Sequence, residues 1–102
     1  VNPGKSGKPD ALTVVKLYPN PFNPTVTLTY DLAAMSDLHV SIYNLAGEQV
    51  WNHAKGNHPA GQDYTLAWNG IDMTNTPLPS GIYLVNIQAG TQIKSKKVTL
   101  LR

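Results

Sequence analysis

A chain of 102 residues holds one domain with a single modest core and little room for an elaborated active site, which weighs against an enzyme at the outset. Only 14% of residues are charged, so the surface must be rich in Thr, Asn, Ser and Gln, as suits secreted β-proteins. A net charge of +2, with no basic cluster interleaved with stacking aromatics, argues against nucleic acid as a partner, and the absence of cysteine excludes disulfides, thiolate metal sites and cysteine nucleophiles.

Residues 1–12, with Pro3, Gly4, Ser6, Gly7 and Pro9 and little apolar content, read as a linker from a preceding domain, and the start at Val1 reads as a piece cut from a larger protein. Residues 13–102 then carry short alternating segments, the rhythm of an all-β sandwich. Thr13 to Tyr18 is the first predicted strand. Three prolines follow in six positions, Pro19, Pro21 and Pro24, and form a stiff elbow because each fixes its own φ and restricts the residue before it. Thr25 to Asp31 alternates cleanly, with Val26, Leu28 and Tyr30 on one face and threonines on the other. Leu38 to Asn44 turns Leu38, Val40 and Ile42 inward, and Asn44-Leu45-Ala46-Gly47 leads into a short strand at Glu48 to Asn52. Asp63 to Trp68 is predicted to bury Tyr64, Leu66 and Trp68, between polar loops at Ala54 to Gln62 and Asn69 to Ser80. Gly81 to Ala89, apolar on both faces, reads as a central strand. In the last strand Val98 and Leu100 are out of parity with Ile93, which predicts a bulge near Ser95 to Lys97. These segments sum to an immunoglobulin-like antiparallel β-sandwich of about seven strands.

Ser80-Gly81-Ile82-Tyr83 resembles the tyrosine corner of Greek-key sandwiches, whose hydroxyl bonds backbone a few residues upstream. The loop at Asn69 to Thr76 offers a single carboxylate, Asp72, so turn chemistry explains its Asn, Asp and Gly better than calcium does. His39, His53 and His58 share no metal-ligand spacing and are expected in solvent. No Gly-x-Ser-x-Gly elbow or pair of acids suggests catalysis, and no cofactor or metal is expected. Trp51 and Tyr43 stay open between packing and stacking on a sugar, with burial favoured for Trp51.

Three signatures in order resemble the C-terminal sorting domains of the type IX secretion system and a related hook-capping-like immunoglobulin module, over Leu17 to Arg102. They are Tyr18-Pro19-Asn20-Pro21-Phe22-Asn23-Pro24 before an alternating strand, then Val40 to Val50 with its turn at Gly47. The third joins Trp68-Asn69-Gly70, through Leu78 to Tyr83, to a basic apolar end at Lys96 to Arg102. The resemblance implies a non-catalytic tag that carries an N-terminal cargo through the periplasm and the outer-membrane translocon to the cell surface or medium. It also implies a surface sortase-like peptidase that cuts in the linker. A strand at a free chain end can pair with a partner while its lysines steer the encounter, so Lys96, Lys97, Val98, Leu100 and Arg102 are the expected recognition residues. Pro19, Asn20, Pro21, Phe22, Pro24, Gly47, Gly81 and Tyr83 are the expected structural motif, with Phe22 plugging one end of the sandwich. An unpaired edge strand would also permit a weak homodimer. The rival reading is a polysaccharide-binding module of an extracellular hydrolase, favoured if Trp51 and Tyr43 share an exposed face; a structural spacer or hook-cap assembly module is the second.

Overall fold

The computed structural model describes residues 11–102, so most of the expected linker lies outside the described residues. Seven strands follow one another: β1 (Leu12–Tyr18), β2 (Val26–Leu32), β3 (Ser36–Tyr43), β4 (Gln49–His58), β5 (Gly61–Trp68), β6 (Gly81–Ala89) and β7 (Gln92–Leu100). They form a three-stranded sheet, β1-β2-β5, and a four-stranded sheet, β4-β3-β6-β7, with every strand pair antiparallel. In immunoglobulin lettering this is A-B-E packed on C′-C-F-G, so the all-β sandwich expected from the sequence is met.

Alternation places the core. Val26, Leu28, Tyr30 and Leu32 of β2 are buried and face Leu38, Val40 and Ile42 of β3 and Tyr83, Val85, Ile87 and Ala89 of β6 across the gap between the sheets. Central β6 is apolar on its outer face too, where Ile82 and Leu84 remain partly exposed. Phe22 closes one end of the sandwich: it is 1% exposed, with its ring centroid 5.7 Å from that of Trp68. The tyrosine corner forms as the motif predicts, the Tyr83 hydroxyl donating to the Pro79 carbonyl at 2.7 Å.

Three expectations need correction. The segment at Ala54 to Gln62 is not a loop: β4 stays paired with β3 as far as His58, and the chain then crosses at Pro59-Ala60 to the other sheet. β4 is an edge strand, so its polar side chains signal exposure and not a lack of pairing. Nor is there a bulge in β7, whose register with β6 is unbroken from Gly81↔Leu100 to Ala89↔Gln92. Ile93 is simply an outward residue opposite Gln88, 59% exposed.

The third correction concerns histidine. Only His39 is well exposed; His53 is half-buried on β4 with its ring stacked beside Trp51, and His58 is buried. The Tyr30 hydroxyl lies 2.8 Å from His58 Nε2, and His58 Nδ1 lies 3.1 Å from the Pro59 carbonyl. A carbonyl can only accept, so Nδ1 carries the proton and Nε2 accepts from Tyr30. Tyr64 packs edge-on to the imidazole and donates its own hydroxyl to Pro59, which pins the crossing between sheets.

Burial pushes the Tyr30 phenol above its ordinary value of 10.0, with Tyr64 adding to the shift, and burial also raises Tyr83 against an opposing effect of Arg102. A phenol that ionises later in the folded chain than in the unfolded one withholds no stability below pH 10.0 and loses it above. Thermal unfolding followed by circular dichroism is therefore expected to show no tyrosine-linked fall up to about pH 10, and a melting temperature that drops progressively beyond it.

Candidate functional site

β7 is an outer strand of the four-stranded sheet, and strand parity divides its residues. Val98 and Leu100 turn inward and are 0% exposed, so they anchor the terminal strand and present nothing to a partner of the folded domain. Lys96 and Lys97 are exposed. Their cross-strand neighbours on β6 are Val85 and Leu84, and that of the half-buried Lys94 is Ile87, so no carboxylate stands opposite any of the three. Lys94 and Lys96 share the inward face with Val85 and Ile87 yet sit at the sheet edge, where their stems can lie along apolar surface with the ammonium groups in water.

Arg102 has a structural task. Its guanidinium donates to the carbonyls of Leu78 and Gly70, and its backbone N–H donates to Ser80 Oγ at 2.8 Å, so it ties the chain end to the 69–80 loop. Gly70, buried at φ +68°, is where this grip needs glycine: a Cβ there would lie 2.9 Å from Arg102 Nη2. The same loop closes on Asp72, whose Oδ1 accepts from the Thr74 hydroxyl and from the amides of Thr74 and Thr76. Those bonds, the Thr74 hydroxyl foremost, hold the Asp72 carboxyl below its ordinary range, as an Asx turn does, and no cluster of three metal-type ligands occurs among the described residues.

The proline elbow lies against β7 and not away from it. Phe22 N–H donates to the Thr99 carbonyl at 2.8 Å and Leu101 N–H to the Phe22 carbonyl at 2.9 Å. Asn20 completes the clasp as a side-chain imitation of a strand, its Nδ2 donating to the Lys97 carbonyl and its Oδ1 accepting from Thr99 N–H, both at 3.0 Å. Pro19, Pro21 and Pro24 are exposed and fix the path of this segment. The other end of β7 has a matching clasp, in which the Gln92 amide exchanges two bonds of 2.9 Å with the backbone of Leu12. Gly47, at φ +86°, takes the left-handed position of the β3–β4 turn, where Asn44 Oδ1 accepts from the amides of Ala46 and Glu48. Gly81 opens β6 just before the buried Tyr83.

Lys94, Ser95 and the Gln92 clasp were not expected from the sequence; a bulge-free parity count of β7 places Lys94 and Ser95, whereas the Gln92 clasp depends on Leu12, 80 positions away. Trp51 and Tyr43 do not share a face. Trp51 pairs with Ile42 on the inward side, its ring 6.4 Å from that of Trp68, whereas Tyr43 pairs with Leu84 on the outer side. The apolar gap that Trp51 lines with Leu28 and Val85 has room for about 10 Å³, about one water, and does not admit a sugar.

No curated protein matches the chain. Among solved structures, dimeric latent PorU from Porphyromonas gingivalis superposes with a TM-score of 0.65 at 22% identity, over 85% of this chain and 9% of that one. PorZ, a surface component of the type-IX secretion system of the same organism, gives 0.60 at 22% identity, over 86% of this chain and 11% of that one. The chain thus spans about a tenth of the length of these proteins, and the likeness is one of fold. The secretion system C-terminal sorting domain family matches residues 16–100, from the strand before the elbow to the last buried leucine. That match takes in the elbow, the Gly47 turn, the tyrosine corner and the basic terminal strand, and the chain belongs to the C-terminal sorting domains of secretion systems.

Proposed function

We propose that this domain directs the protein N-terminal to it through the type IX outer-membrane translocon, for release or display at the cell surface, and performs no catalysis itself. The family match over residues 16–100 carries this reading. Lys96 and Lys97 are the contact residues proposed for the translocon, since they are exposed on a terminal edge strand with no opposing carboxylate on β6. Val98, Leu100 and Arg102 support that surface from beneath and from the chain end. A sortase-like peptidase would cut within residues 1–12, and the mass of the surface-exposed cargo reads that position directly.

The test is charge reversal. Lys96→Glu with Lys97→Glu, introduced into a cargo carrying this domain, is expected to leave folding stability within about 0.5 kcal/mol, as exposed substitutions do. Cell fractionation should then find the cargo held in the periplasm. Undiminished surface display of the reversed variant would overturn the assignment of the two lysines.

A further inference from the structure

The unbroken register of β7 leaves a short open stretch of sheet edge between the two clasps. Main-chain groups of a strand alternate sides, and the Lys97 carbonyl, Thr99 N–H, Thr99 carbonyl and Leu101 N–H all point away from β6, toward Asn20 and Phe22. By the same alternation the N–H and C=O of Ile93 and Ser95, and the N–H of Lys97, point to the open edge, and no partner for them occurs among the described residues. On either side of Ser95 stand Lys94 and Lys96, on the inward face of the sheet.

Resting on the sorting reading, we propose that this window, residues 93–97, is a strand-addition site for an extended segment bearing carboxylates at alternate positions. The main-chain groups of Ile93, Ser95 and Lys97 supply the hydrogen bonds, and Lys94 and Lys96 select the charge. An added antiparallel strand has the residues opposite Lys94 and Lys96 two positions apart and on one face, where acids gain and bases lose. A second copy of this chain is the wrong occupant. Antiparallel pairing in which at least two of the outward residues Ile93, Ser95 and Lys97 face residues of the same window centres on Lys94, Ser95 or Lys96, and those three registers set Lys94 against Lys94, Lys94 against Lys96, and Lys96 against Lys96. The edge is thus open to an acidic strand and closed to itself, which is how a sheet edge gains specificity without self-association.

The probe is a hexapeptide of alternating valine and glutamate, added to the 15N-labelled 102-residue chain at low salt and compared with the same peptide carrying glutamine. The glutamate peptide is expected to shift the amides of Ile93, Ser95 and Lys97 and to bind roughly fivefold to tenfold tighter than the glutamine peptide. Added salt should weaken it. Ser95→Pro removes one outward N–H and leaves the β6–β7 ladder intact, so it should abolish the shifts while thermal unfolding remains cooperative. Lys94→Gln with Lys96→Gln should erase the preference for glutamate without altering the fold. Equal binding of the two peptides, shifts mapping elsewhere, no shift at the solubility limit of the peptide, or a β7-mediated dimer in sedimentation would each overturn the proposal. The readout needs no secretion machinery, so a failed peptide titration leaves the sorting reading to stand or fall on the fractionation of the charge-reversed cargo.

Discussion

Phe22→Ala is expected to destabilise the domain by about 3–5 kcal/mol, the range for removing a fully buried phenylalanine. The residue lies outside every strand, yet it is 1% exposed and packs against Trp68, which in turn meets Tyr83 edge-on at 5.5 Å. Its loss opens a cavity at the end of the sandwich where the gap has no room to relax by shifting one strand, because the Phe22 backbone is bonded to Thr99 and Leu101 on both sides. For a domain of this size the drop corresponds to a fall in melting temperature of roughly 15–30 °C. Guanidinium denaturation should show a lower midpoint at an unchanged slope. Met35→Ala, 64% exposed and outside every strand, serves as the control and should move the midpoint little. A loss of less than about 1 kcal/mol for Phe22→Ala would mean that the elbow is not part of the core.

The parts of the fold legible in the sequence are those set by local pattern. Val26, Leu28 and Tyr30 alternate with threonines, and a strand half-buried on one face can hardly be written otherwise. The Ser80 to Tyr83 corner is equally local, since the Tyr83 hydroxyl reaches a carbonyl only four residues back. What escaped depends on partners far away in the chain. His58 reads as a polar loop residue because the hydroxyl that justifies its burial belongs to Tyr30, 28 positions earlier. The second half of β4 lacks an apolar alternation because an edge strand needs only one neighbour, and pairing leaves no mark on side chains facing water. The elbow was legible as a stiff stretch, but not as a partner of β7, since Asn20 and Lys97 are 77 positions apart. The basic end reads from the sequence as one recognition surface; parity separates it into anchors, Val98 and Leu100, and exposed cations, Lys96 and Lys97.

That separation governs how the terminal strand should be tested. Deleting Lys96 to Arg102 is expected to unfold the domain and not merely to silence it. Two side chains at 0% exposure leave with the segment, each worth about 1.5–3 kcal/mol of burial. The pairing of β6 from Gly81 to Val85 goes with them, as do the Arg102 grip on the 69–80 loop and the backbone partners of Phe22 and Asn20. Against a total stability of about 5–15 kcal/mol for a small domain, losses on that scale leave little folded population. The truncated chain should therefore show no cooperative thermal transition and collapsed amide dispersion, and the cargo it carries should fail to reach the surface because the sorting domain is unfolded. A cooperative transition in the truncated chain would show that the sandwich folds without the second half of its last strand, and deletion would then become a clean probe of recognition. With the truncated chain unfolded, a sorting defect on deletion measures folding. Recognition is read instead from Lys96→Glu with Lys97→Glu, which changes charge at two exposed positions and leaves Val98, Leu100 and both clasps in place.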